Sequence, residues 1–279
     1  MKRRKILGMA FKAGVYLVLT ALALVYLMPF IRSLVASFMT WEQASRIPPE
    51  WIPRPFTLQA FKRIFALKLF PRWFLNTALV SVATVLSNVI LCSMAGFAFA
   101  RLRFPLKDAL FSLLLSLMMI PAFVTIVPNY VILYKLRLVD NLLAVIIISA
   151  ASVNGVYLMR QYFLSLPQEL FDSAKIDGCT NIKAFFYVAL PLAKPAIGAL
   201  AVYQFLGAWN AFLAPLVFLK SPENFTLPVG LTYAFHRQWY VEYSPIIAGS
   251  LIAAAPTILM FVLFNKYLIR GITLTASKG

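Results

Sequence analysis

Acidic residues are scarce in this 279-residue chain: there are nine, and none lies well inside an apolar run. Asp108, Asp140, Glu169, Asp172, Asp177, Glu223 and Glu242 fall in loops or at the ends of runs, and Glu42 and Glu50 in the first external loop. Ion-driven transporters use intramembrane acids as their relay. Their absence, with no visible inverted repeat, argues against the alternative of an ion-coupled secondary transporter. No G-x-x-x-x-G-K-[ST] phosphate loop occurs, so this chain does not hydrolyse nucleotide itself. Only two cysteines are present. Cys92 falls in an apolar run and Cys179 in a polar loop, so a disulfide between them is not expected. The single histidine, His236, is a solvated loop residue, and one imidazole makes no metal site. With no metal or nucleophile constellation, an integral-membrane enzyme is disfavoured, and no catalytic residue is expected. Asp172 and Asp177 read as solvated or partner-facing charges, because catalytic groups have to converge.

What is abundant is apolar. Hydrophobic residues make up 62% and charged residues 13%, a membrane composition. Apolar runs recur at roughly 13–37, 75–100, 109–133, 141–164, 195–219 and 245–265. Each is long enough for about 30 Å of hydrocarbon. The expectation is an all-α integral membrane protein with six transmembrane helices, in a single membrane domain over 1–279. The first run is too long for a signal-peptide core, and no clean cleavage site follows it. The net charge of +17 flanks the runs, which suits an anionic lipid surface and not nucleic acid. The basic N-terminus and the Arg101, Arg103, Lys266 and Arg270 clusters predict that both termini are cytoplasmic. The bias is modest, because the first external loop carries Arg46, Arg54, Lys62, Arg63, Lys68 and Arg72. Thr57 to Phe65 is a candidate interfacial amphipathic helix there.

One stretch is polar and helix-forming: LPQELFDSAKIDGCTNIKAFFYVALPLAKP, Leu166 to Pro195. Ser165 and Gln168 have capping-box spacing, with Pro167 in the first turn. Glu169 and Asp172 sit near the positive end of the helix dipole, and Gly178 is placed to stop the helix. Ile182, Phe185, Phe186, Ala189 and Leu190 predict one apolar face of a second helix. Pro191 and Pro195 are expected to end it.

This stretch resembles the cytoplasmic signature loop of binding-protein-dependent ABC importer permeases, E-A-A, two residues, D-G, about nine residues, then I-x-L-P. Here it stands as Asp172-Ser173-Ala174, Asp177-Gly178 and Val188-Ala189-Leu190-Pro191. Asp172 and Ser173 depart from the usual Glu and Ala, and Cys179 stands where Ala is usual. Phe74-Leu75-Asn76-Thr77, Ala95-Gly96-Phe97-Ala98, Arg101 to Pro105, Trp209-Asn210 and Arg270-Gly271-Ile272-Thr273 are similar to the sugar-importing branch, nearest the shorter permease of maltose-type transporters. The resemblance implies a type I ABC importer permease fold in the cell inner membrane, with a core of roughly 72–266 and a coupling loop of roughly 165–194. It implies a sugar or sugar-like solute, a second homologous permease subunit, a cytoplasmic ATPase dimer holding the ATP and Mg, and an external solute-binding protein. Carried over to this loop, it assigns Glu169, Asp172, Ser173, Ala174, Asp177, Gly178 and Pro191 to coupling with the ATPase.

Amides and hydroxyls inside the runs, such as Asn76, Thr84, Asn88 and Asn154, read first as helix-to-helix glue. Gln204, Trp209 and Asn210, with Tyr203 and Phe205 nearby, have the best claim to a solute path, since amides bond hydroxyls and aromatic faces stack on sugar C–H surfaces. Gln204 and Asn210 are not on one helical face. Pro29, Pro121, Pro128, Pro215 and Pro256 are expected to shape or hinge the runs. The last external loop, roughly Lys220 to Ser244, carries Phe235, Arg237, Trp239 and Tyr240. These are residue types favoured at interface hot spots, and the loop is a candidate contact for a binding protein. A belt of interfacial aromatics on lipid is the other reading.

Overall fold

The computed structural model describes residues 2–236 and 241–276, with side chains placed over 11–236 and 241–264. The helices are α1 (Lys2–Ala36), α2 (Trp41–Ala44), α3 (Gln59–Phe65), α4 (Phe70–Arg101), α5 (Lys107–Ser116), α6 (Ala122–Lys135), α7 (Leu142–Ile148), α8 (Val153–Ser165), α9 (Gln168–Ile176), α10 (Asn181–Ala184), α11 (Leu190–Leu192), α12 (Lys194–Trp209), α13 (Leu213–Phe218), α14 (Leu227–Phe235) and α15 (Tyr243–Ala276). Among the described residues the β-structure is one isolated bridge, His236 to Val241.

Three unbroken helical stretches are long and apolar enough to cross a membrane: Phe11–Ala36, Phe70–Arg101 and Tyr243–Phe264. Three pairs of helices pass the same test only together, each bent at a short break: Lys107–Met119 with Ala122–Lys135 (104°), Leu142–Ile148 with Val153–Ser165 (43°), and Asn181–Leu192 with Lys194–Trp209 (78°); with each pair taken as one span the number is six by length and composition. The first bend falls at Pro121, with Ile120 before it extended at φ −83°, ψ 116°, as the residue before a proline prefers. The second falls where Ser152 caps α8, its Oγ accepting from the Gly155 N–H.

The fifth apolar run corrects the expectation of one helix over 195–219. α12 ends at Trp209, and a separate short helix, α13, follows only at Leu213. Asn210 closes α12 with its side-chain amide on the Leu206 carbonyl at 2.9 Å. That bond competes with continued helix, the general tendency of Asn.

The chain divides into two compact units. One comprises 1–68 with 231–252, the other 69–230 with 253–279. In the first, Phe38 stacks on Phe56 at 4.9 Å and lies 5.4 Å from Phe61. Buried Gln43 donates to Glu50 and to the Ile52 carbonyl and accepts from the Arg54 N–H. Bonds from Gln43 and Arg46 hold the Glu50 carboxyl below its usual pKa.

In the second unit α4 packs chiefly on α8 and α12. A Cβ on Gly96 would lie 2.7 Å from the Met159 Cβ and 2.8 Å from the Arg160 nitrogen. Only glycine lets the two backbones approach so closely, a recurrent device between membrane helices. The start of α4 secures the chain near 222–227. Trp73 donates to the Pro222 carbonyl, Asn76 to the Glu223 and Phe225 carbonyls, and the Leu227 N–H donates to Thr77 Oγ1.

Candidate functional site: the 165–194 loop and its anchor

The capping box does not form. Ser165 Oγ donates to the Tyr162 carbonyl, 2.7 Å away inside α8, and α9 starts at Gln168 with Pro167 as an unassisted cap. The cause is Leu166, held extended at φ −72°, ψ 144°, as the residue before a proline prefers. This turns Ser165 back onto the preceding helix. Gln168 bonds elsewhere. Its side-chain oxygen accepts from Arg101 Nη1 at 2.6 Å, and its amide donates to Asp172 at 3.0 Å.

The other end of α9 is as expected. Gly178 has φ +78° with nothing within 4 Å of a built Cβ, so the dihedral and not space demands glycine. The Gly178 N–H reaches the Lys175 carbonyl and the Cys179 N–H the Ala174 carbonyl. Together they form a Schellman closure. Thr180 then caps α10 through the Lys183 N–H.

The second helix corrects its predicted face. Phe185 and Ala189 are buried, but Ile182 is 71% and Phe186 52% exposed. Residues Phe185–Ala189 form a π-helical turn, whose extra residue breaks the 3.6 period. Nor do the prolines end it. Pro191 lies within α11, and Pro195 sits in the first turn of α12, where its missing N–H is harmless.

The loop is anchored through one side chain that the sequence marks only as a charge within a motif. Arg101, the last residue of α4, donates to the Phe163 carbonyl through Nε and Nη2, to the Leu166 carbonyl and to Gln168. Its guanidinium lies 4.4 Å from the centroid of the Phe171 ring. Phe171 belongs to an aromatic cluster in which the Phe97 ring lies 5.7 Å from Phe163, 6.1 Å from Phe171 and 5.3 Å from Phe185. Burying side chains of this size contributes on the order of 1.5–3 kcal/mol each. The loop is therefore fixed to α4 and α8. Its outer face presents Glu169, Asp172, Ser173, Asp177, Gly178 and Pro191, with Ala174 buried beneath. Ile176, 87% exposed, and Ile182 lie among them. Exposed apolar side chains rimmed by charge mark an interaction surface.

The three path candidates separate. Gln204 is half-buried and donates to Ser152 Oγ. Trp209 is 3% exposed. Its ring stacks on Phe205 and meets Phe74 edge-on, and its Nε1 donates to the Ala253 carbonyl at 2.8 Å. Its indole belongs to the packing of the helices. Asn210 is exposed, with its amide nitrogen on the Leu206 carbonyl.

In the last loop, Phe235 is 2% exposed, which corrects its assignment as a contact residue: it lies beneath the Arg63 guanidinium at 5.6 Å. Arg63 also pairs with Glu242, whose N–H donates to the Phe235 carbonyl. The other three contact candidates, Arg237, Trp239 and Tyr240, lie outside the described residues.

A second knot was not foreseen. Asp140, at φ +63°, accepts from the Lys220 and Ser221 N–H groups and from Ser221 Oγ, while its carbonyl accepts from Asn224. Burial pushes its pKa up, but those hydrogen bonds outweigh it and bring the value down to about 2.

Residues 88–273 match the binding-protein-dependent transport system inner membrane component family. The chain belongs to that family. It is similar to the arabinooligosaccharides transport system permease protein AraQ of Halalkalibacterium halodurans, with 36% identity over 92% of this chain and 93% of that protein. It is similar also to the galactooligosaccharides transport system permease protein GanQ of Bacillus subtilis, with 30% identity over 100% of this chain and 99% of that one. The fold matches a crystal structure of a bacterial ABC transporter involved in the import of the acidic polysaccharide alginate, with TM-score 0.80, 22% identity, and 92% and 96% of the two chains covered.

The geometry suits an inner-membrane permease. Among the described residues no three His, Cys, Asp or Glu side chains are grouped to hold a metal ion. What the permease does offer is a loop fixed to α4 and α8, with an outer face of mixed charge and exposed apolar side chains, and apolar helices broken by sharp bends.

Proposed function

We propose that this permease forms half of the path of an ATP-driven importer for an oligosaccharide delivered by an external binding protein. The observation that carries the reading is the 165–194 loop, clamped to α4 by Arg101 and Phe171 and presenting Glu169, Asp172, Ser173, Asp177, Gly178 and Ile176 outward. A loop tied this tightly passes a push at its outer face to the helices behind it. In this reading its partner is a cytoplasmic ATPase dimer, which holds the ATP and Mg. A second homologous permease completes the path, and both termini are cytoplasmic. The names of the relatives, on arabinooligosaccharides and galactooligosaccharides, support the solute class. Asn210 faces the path, Gln204 is held back by Ser152, and Trp209 fixes the helix end. Arg237, Trp239 and Tyr240 remain the proposed contacts for the binding protein.

The test is uptake by proteoliposomes holding the whole complex, with ATP on the loop side and the loaded binding protein opposite. ATP-dependent accumulation of the oligosaccharide is the expected result. Accumulation driven by a proton or sodium gradient without ATP would overturn the reading.

A further inference from the structure

The segment between the first and second spans is folded, yet it leaves its apolar side chains outside. Phe38, Phe56 and Phe61 pack together, Ala60 and Ile64 are buried, and Gln43 ties three points of the chain. A segment that ordered has the means to cover its remaining hydrophobic residues. Instead Ile47 is 94%, Phe56 64%, Ile52 60% and Trp51 47% exposed. Beside them stand Arg46, Arg54, Lys62 and Lys68, all exposed. Residues 41–68 hold five basic and two acidic side chains, and one of the two acids, Glu50, is already paired with Arg46.

We infer that residues 41–68 form a membrane-surface module, with Ile47, Trp51, Ile52 and Phe56 in the interface and Arg54, Lys62 and Lys68 on anionic phospholipid headgroups. Three observations favour lipid over a protein partner. The chain leaves one span at Ala36 and enters the next at Phe70, so the segment is tethered at bilayer level at both ends. Exposed lysine beside tryptophan and large aliphatics is the composition of an interfacial segment, whereas protein interface cores are depleted in lysine. And the net positive charge matches anionic headgroups. The same inference accounts for the basic residues that weaken the charge asymmetry of the chain: they serve a lipid surface and not orientation. It holds whichever side of the membrane the segment occupies, and it does not depend on the proposed solute or ATPase.

The test uses the full complex in nanodiscs of phosphatidylcholine with acyl chains brominated near the headgroup, with and without phosphatidylglycerol. Brominated chains should quench a component of the tryptophan emission that disappears in Trp51→Phe, while the buried Trp73 and Trp209 remain as internal controls. The R54Q/K62Q/K68Q variant, altered only at exposed positions, should retain about tenfold less phosphatidylglycerol by native mass spectrometry. Equal quenching in the parent and Trp51→Phe would overturn the insertion, and unchanged lipid retention would overturn the headgroup contact. Access of aqueous iodide to Trp51, lost only when the binding protein is added, would assign the surface to a protein partner and sink the inference.

Discussion

The guanidinium of Arg101 lies 4.4 Å from the centroid of the Phe171 ring, and this contact joins the end of a membrane helix to the loop that follows the fourth span. The same guanidinium donates to the Phe163 and Leu166 carbonyls and to Gln168. A planar fork fills all of these positions at once, and an ammonium does not. Arg101→Lys keeps the charge but should cost on the order of 1.5–3 kcal/mol, the worth of a charged hydrogen bond. The expected outcome is a lowered unfolding midpoint and weaker retention of the proposed ATPase partner on purification. A variant that matches wild type in both would show that the loop is held by the aromatic cluster alone.

Gly178 offers a test of the loop's shape without a test of its packing. Its φ is +78° and open space surrounds it, so any loss on substitution comes from the backbone. A β-branched residue there costs roughly 1–2 kcal/mol, and Asn costs less because it tolerates the left-handed region. Gly178→Val should insert normally but lose coupling between ATP hydrolysis and uptake, and Gly178→Asn should keep most of it. Wild-type coupling in Gly178→Val would mean that this turn is not part of the transmission.

The features that were legible in the sequence are those set by neighbours in the chain. Apolar runs marked the long helical stretches but not their breaks, and Gly178 marked the helix stop, because each depends on a local pattern or a single dihedral. Ser165 misled because the extended Leu166 was imposed by Pro167, a restriction stronger than one side-chain cap. Ile182 and Phe186 misled because they share a face that is turned outward while Ala184, Phe185 and Ala189 pack inward, and apolar type alone does not tell which of two neighbouring faces is buried. Arg101 and Asp140 were illegible as anchors for a different reason. Their partners lie 62 to 67 and 80 to 84 residues away, and no period in the chain brings such pairs together. Trp209 looked like a path residue by type, and only packing against Phe205, Phe74 and Ala253 shows its indole committed.

Asp140 predicts a pH dependence. Its carboxyl has a pKa of about 2 against an ordinary value of 3.8, so its bonds to Lys220 and Ser221 stabilise the folded chain fully above the ordinary carboxylate range. That contribution is lost as pH falls from the ordinary value through the depressed one. The group is partly exposed, and solvent screening limits the contribution to about 1 kcal/mol. Asp140→Asn should lower the unfolding midpoint at neutral pH and flatten its fall between roughly pH 4 and 2. Thermal unfolding of the purified complex across that range reads both. An unchanged acid limb in the variant would move the dependence to another carboxylate.

Trp209 and Asn210 are adjacent, yet one is buried and the other exposed. Trp209 is buried against Phe205 and Phe74 with its N–H on the Ala253 carbonyl. Truncating such a side chain costs roughly 3–5 kcal/mol, so Trp209→Ala should reduce the assembled complex itself. Asn210 is exposed at the end of α12, with one amide hydrogen bond back to Leu206. If the break between α12 and α13 lies at bilayer depth, as the proposed path requires, an exposed amide there is poorly placed against lipid and well placed against a hydroxylated solute. Asn210→Leu preserves volume and removes the hydrogen bonding. A single such bond is worth about 0.5–1.5 kcal/mol, so uptake should slow by roughly three- to tenfold with normal assembly. Initial uptake rates, normalised to assembled complex, separate the two residues. Equal uptake in Asn210→Leu and wild type would leave Asn210 only the role of ending the helix, and the solute contacts would then have to be sought elsewhere on the proposed path.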